Sequence, residues 1–288
     1  MNEEAPTEEK KRKSFFKRFW WIFVLFTILL LLSISGLLFT IYKSKQGKKV
    51  TIEGVPEDVV QTTVTWRQVD NGTWVPSSTP PACPDTIDLP VDVSHATSVL
   101  YPGQYRGGEY KPHGGFRFDN NKTNDEKIVA PFDAALFRGA RYMAHGDVQY
   151  VFDFISPCGY MYRLGHLYTL SPKLQQIADK LPLNGDGDSR DTAINPNVEF
   201  KKGEVLATAT GMTWGSAGNV NVFVDWGVYD VKVKNSASKD SAWLEKHNFF
   251  NDQYALCWFD LLSPADEAKV RSLPASDGQS GKQSDYCK

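Results

Sequence analysis

Lys111-Pro-His-Gly-Gly-Phe-Arg-Phe-Asp119 sets a histidine on a Gly-Gly pair and then runs into an alternating, strand-like segment. Residues i, i+2 and i+4 of a strand share a face. Arg117 and Asp119 therefore point the same way, with His113 at the strand's entrance. Two later stretches have the same character: Gly165-His-Leu167 at the end of an aromatic run, and Gly218-Asn-Val-Asn-Val-Phe-Val-Asp225 on an apolar one.

Working outward, Ile128 to Phe137 is apolar with a proline at an expected turn. Val148 to Ile155 and Tyr160 to Leu167 alternate as strands do, and Ser156-Pro-Cys-Gly159 reads as the hairpin between them. Pro172 to Leu181 is the one soluble helix expected in this region, with Ser171 as its cap. Val198 to Ala207 and Val220 to Val233 return to strand. Many short strands punctuated by glycine turns predict a mainly β, barrel-like sandwich with a few short helices. Beyond Asn235 the pattern shifts to short helices near Trp243 to Phe250 and Pro264 to Leu273, then to a polar tail.

The N-terminus is of a different kind. Residues 1–18 are polar and end in a basic run, Lys10 to Lys13 with Lys17 and Arg18. Phe19 to Tyr42 is then an uncharged apolar stretch of 24 residues, longer than the ~20 a helix needs to span a bilayer. Trp20, Trp21 and Tyr42 suit the two interfaces. A cleaved signal peptide would be shorter and would not be followed by Lys43, Lys45, Lys48 and Lys49. The expectation is a single-pass anchor in the cell membrane, with a cytoplasmic tail (1–18), a transmembrane helix (19–42) and an extracytoplasmic remainder. Within that remainder, 43–110 reads as linker and accessory strands, 111–235 as the β domain and 236–288 as an extension. The net charge is -2, with no basic stripe beyond the N-terminus, so nucleic acid is not an expected partner.

Cys83, Cys158, Cys257 and Cys287 all lie in the outer part, and none of their spacings is a metal or redox motif. An even number in an oxidising compartment predicts disulfides. Three pairings exist; Cys257 with Cys287 is preferred because the Pro- and Gly/Ser-rich stretch between them needs stapling, which leaves Cys83 with Cys158.

In their order along the chain, His113-Gly-Gly-Phe-Arg117, Ile128-Val-Ala-Pro-Phe-Asp133, Tyr162-Arg-Leu-Gly-His-Leu167, Phe200-Lys-Lys-Gly-Glu-Val205 and Asn219-Val-Asn-Val222 resemble the motifs of lysostaphin-type zinc peptidases, which cut peptidoglycan cross-bridges. The resemblance implies their barrel-sandwich, the duplicated hybrid motif. It also implies a zinc held by the first histidine, an aspartate four residues on and the second histidine of the last motif. Here only His113 matches. Arg117 takes the aspartate position, and a guanidinium only donates. Asn221 takes the last ligand's place and Asn219 that of a catalytic histidine, while His166 matches the histidine that stabilises the oxyanion.

The implied site is thus a ligand-binding groove of His113, Arg117, Asn219 and Asn221, with His166 as the remaining catalytic candidate and no resident cofactor or metal. If any metal binds, His113 and Asp119 are its expected ligands. Arg117 is expected to pair with a carboxylate, either Asp119 or a ligand's. The expected function is non-catalytic binding of peptidoglycan or regulation of a cell-wall hydrolase. The alternative is an active zinc metalloendopeptidase with a rearranged site using His113, Asp119 and His166.

Overall fold

The computed structural model describes residues 49–51, 64–69, 72–214 and 219–288, together with Thr27. The chain divides into two compact units, Met1–Gly47 and Lys48–Lys288. Of the first only Thr27, helical and exposed, is described, so the expected tail and membrane helix lie outside the described residues. Among the described residues no helix is long and apolar enough to cross a membrane.

The second unit is mainly β. Its strands are β1 (Lys49–Thr51), β2 (Trp66–Gln68), β3 (Trp74–Pro76), β4 (Ser98–Leu100), β5 (Gln104–Arg106), β6 (Glu109–Lys111), β7 (Gly114–Arg117), β8 (Asp125–Val129), β9 (Ala134–Ala144), β10 (Asp147–Ile155) and β11 (Tyr160–Leu170). After helix α1 (Pro172–Ala178) come β12 (Leu183–Asp186), β13 (Thr192–Phe200), β14 (Val205–Thr210), β15 (Met212–Trp214), β16 (Asn219–Asn221) and β17 (Phe223–Asp230). The extension adds α2 (Ser241–Lys246), α3 (Phe250–Tyr254) and α4 (Pro264–Ser272). Eleven strands share one sheet, whose main path runs β1-β13-β9-β10-β11-β17-β7-β4.

The expected hairpin forms at Ser156 to Gly159, where Ser156 N–H donates to Tyr160 O at 2.8 Å. The expected helix forms too, with the Ser171 hydroxyl accepting from Leu174 N. A side-chain cap of this kind is worth about 1 kcal/mol.

Alternation divides the middle of the sheet into two faces. Along β17, Val224, Trp226 and Val228 are fully buried, and they are joined by Phe116 from β7 and by Tyr162 and Leu164 from β11. The extension covers this apolar face: Trp258 lies 4.3 Å from Trp226 and 5.4 Å from Phe116, centroid to centroid. The opposite face carries Asp225 and Gly227 of β17, which pair with Gly165 and Arg163 of β11. The two glycines of the opening motif let three strands meet. A Cβ on Gly114 would lie 2.3 Å from Leu100 O of β4, and one on Gly115 2.1 Å from Val224 O of β17.

Two disulfides, Cys83–Cys158 and Cys257–Cys287, are those the sequence predicts. The second holds a C-terminal strap against the β5–β6 hairpin. Ser284 Oγ donates to Pro102 O, Asp285 N to Gly103 O, and Gln104 Nε2 to Gly281 O. The Tyr286 ring fills the notch over Gly103, where a Cβ would lie 2.8 Å from it.

One buried acid in the extension titrates in an accessible range. Asp252 on α3 is 6% exposed, and burial pushes its carboxyl up to about 6, against a hydrogen bond from the Phe249 N–H. The folded protein therefore holds this proton more tightly than the unfolded chain. Its contribution to stability is fully present below about pH 4 and is lost as pH rises through the folded value. Asp252→Asn is expected to remove that loss and raise stability at pH 7.5 by on the order of 2 kcal/mol. Urea midpoints at pH 4 and 7.5 read it; the same pH dependence in both proteins would contradict it.

Candidate functional site

On the polar face, His113 enters just before β7, His166 projects from β11 and Asp225 from β17. His113 Nε2 lies 3.1 Å from Asp225 Oδ2, and His166 Nε2 lies 3.5 Å from the same oxygen. Glycines make the room: a Cβ on Gly227 would lie 3.0 Å from His113 Cβ, and one on Gly165 3.3 Å from Asp225 Cβ.

His166 reaches this face through a bulge. Strict alternation would send it to the apolar side with Leu164. Instead Tyr150 pairs with Leu167 and Phe152 with Leu164, so β11 holds one residue more than β10 between these pairs. His166 takes a left-handed backbone (φ 59), rare for a residue with a Cβ. Both leucines stay fully buried while the imidazole turns toward Asp225. Bulges re-aim side chains in this way beside functional sites.

The electrostatics follow from crowding. Burial alone would raise Asp225, but His113, His166 and Arg106 outweigh it and hold the carboxyl well below its usual range. Burial pushes His166 down, opposed by Asp225 and reinforced by His113. Its Nδ1 is buried with no partner among the described residues. Arg106 supports the cluster from behind, donating from Nη2 to His113 O at 2.9 Å and from Nη1 to Tyr101 O at 2.6 Å.

These residues floor a cavity of about 130 Å³ whose walls include Lys111, Tyr142, Arg163 and Ser189. Arg163 belongs to a buried ionic quartet. Its Nη1 donates to both oxygens of the fully buried Asp153, at 3.0 and 2.9 Å, and lies 3.5 Å from Asp191; Arg138 contacts the same two carboxylates. Burial raises Asp191, which Arg163 opposes and Asp153 reinforces.

Arg117, Asp119 and Asn221 form a separate cluster, which Asn219 does not join by any contact among the described residues. Arg117 donates to Asp119 Oδ1 from Nε at 3.0 Å and from Nη2 at 2.8 Å, and also from Nη2 to Asn221 Oδ1 at 2.8 Å. Of the two carboxylates offered to Arg117, the structure supplies Asp119. That carboxylate also accepts from Thr97 Oγ1; burial works against its ionisation, but these hydrogen bonds keep it below its usual range. Asn219 is exposed on β16, a strand that pairs with β15.

The strand facing β7 begins at Phe223. The two residues flanking Val224 on the site's face are therefore Phe223 and Asp225, four positions beyond Asn219 and Asn221. Asp225 is the functional candidate the motif reading missed. Its signal was present in the run Val222, Val224, Trp226, Val228, which puts Asp225 on the other face between Phe223 and Gly227, the one charged residue among them.

His113 and Asp119, the ligands expected for any metal, do not converge: His113 faces Asp225, and Asp119 is engaged by Arg117 and Thr97. Among the described residues no three His, Cys, Asp or Glu side chains are grouped to hold a metal ion. At the three positions to which the resemblance assigns a zinc stand one imidazole, His113, a guanidinium, Arg117, that only donates, and an amide, Asn221, and this set does not fit the metal.

No protein-family model matches the chain, and no curated protein matches it. Among solved structures, a crystal structure of Helicobacter pylori Csd3 aligns at a TM-score of 0.28 and 15% identity, covering 59% of this chain. The match spans 38% of the Csd3 chain, and at that level it bears on neither fold nor function.

Proposed function

We propose that the chain is a membrane-anchored, extracytoplasmic relative of lysostaphin-type peptidases that binds peptidoglycan peptides, or regulates a cell-wall hydrolase, without cutting them. The observation that carries this reading is the commitment of the site's groups to one another. Arg117 stands where the resemblance asks for a metal-binding carboxylate and is tied to Asp119 and Asn221. The carboxylate beside His113 is Asp225, which faces two imidazoles.

His113 with Asp225 has the form of an oriented general base, but no serine or cysteine is hydrogen-bonded to that histidine among the described residues. A cavity with polar walls remains, which suits recognition. Two cystines accord with an oxidising compartment. The apolar stretch 19–42 supplies the proposed anchor, with the N-terminus cytoplasmic.

The rival reading is a zinc metalloendopeptidase with a rearranged site. It draws on one observation, that two imidazoles and a carboxylate meet here, a donor set zinc hydrolases use. Incubating the full chain with purified peptidoglycan separates the two. Co-sedimentation with intact cross-links supports the binding module; new amino termini that accumulate with time support the enzyme.

A further inference from the structure

The cavity holds several hydrogen-bond donors that the fold does not use. Tyr142 is 6% exposed, lines the cavity and has no hydroxyl partner among the described residues. Arg163 spends only Nη1 on Asp153 and Asp191, so its Nε and Nη2 remain without partners among the described residues. Lys111 gives one N–H to the exposed Glu109 and keeps two. Ser189 adds an exposed hydroxyl on the same wall. The Tyr142 hydroxyl is available to a guest as a donor on the cavity wall, and an Arg fork matches a carboxylate's two oxygens.

The acceptor side is sparse by comparison. Asp225 faces His113 and His166, which share one of its oxygens. The charge of Arg163 is largely balanced by its aspartates, so it would act here as a directed donor more than as a net charge. Size narrows the occupant. About 130 Å³ is close to the ~150 Å³ that accepts a benzene, room for a carboxylate and a methyl-sized side chain but not for a long one.

We infer that this cavity captures the C-terminal carboxylate of a peptide ending in a small residue, with Tyr142, Arg163 and Lys111 donating to it. The inference rests on the peptide-binding reading above and names the part of the ligand that this site takes.

Calorimetric titration of the full chain with alanylalanine of either hand, with its C-terminal amide and with acetate tests it. The free acid is expected to bind at least ten-fold more tightly than the amide and than acetate. Tyr142→Phe keeps the ring and is expected to weaken the acid about ten-fold, the scale of one hydrogen bond to a charged group, leaving the amide unchanged. Ser189→Ala, at an exposed position, is expected to weaken it a few-fold and gives a second variant with little risk to folding. Equal binding of acid and amide overturns the inference, and so does acetate binding as tightly as the dipeptide. Binding of neither peptide, with peptidoglycan still retained, overturns this inference alone; loss of peptidoglycan retention by the unaltered chain overturns the module reading beneath it.

Discussion

Asp153→Ala is expected to lower stability by about 3–5 kcal/mol, the cost of removing one partner from a buried ionic group. Asp153 is fully buried on β10 and accepts from Arg138 and Arg163 on the strands to either side. Without it two guanidiniums share Asp191 alone, at 3.4 and 3.5 Å, and their mutual repulsion is no longer offset. The substitution also loosens Arg163, so dipeptide binding should fall with stability. Urea unfolding reads the first effect and calorimetry the second. A loss under 1 kcal/mol would mean that water can replace the carboxylate and that the quartet does not hold the cavity wall.

Replacing both Cys257 and Cys287 with serine is expected to cost about 3–4 kcal/mol by loop entropy for a separation of 30 residues. The effect should also reach the site. The cystine keeps Tyr286 in the Gly103 notch and the strap on Pro102 to Tyr105. The next residue, Arg106, carries the hydrogen bond to His113 O. Hydrogen exchange should therefore quicken at residues 102–113 in the variant and leave β9 and β10 unchanged. A thermal shift without that local change would show that the strap stabilises the fold but does not position His113.

Much of the fold was legible because local chemistry and tertiary context agree. The alternation of Val148 to Ile155 and Tyr160 to Leu167, the turn at Pro157-Cys-Gly159 and the cap at Ser171 are local signals, and the structure realises each. Both cystines followed from composition and the need to tether the tail. The site was only partly legible. His113 and His166 both reach Asp225, but that partner depends on which residues of a long apolar run pair with β7, and register is a tertiary property. The bulge at His166 had a local mark, two buried leucines three apart in a strand. The quartet had none, since Arg138, Asp153, Arg163 and Asp191 come from four segments that only the assembled sheet brings together.

On the proposed function, this cavity binds peptidoglycan and does not cut it. The most direct test incubates the full chain with purified peptidoglycan and added zinc, follows new amino termini over time, and measures zinc retained per chain after dialysis. No new termini above a His113→Ala control and no stoichiometric zinc are expected. New termini that accumulate with time, with about one zinc per chain, both lost in His113→Ala, would contradict the proposed function and make Asp225 and His166 the ligands that complete the metal site.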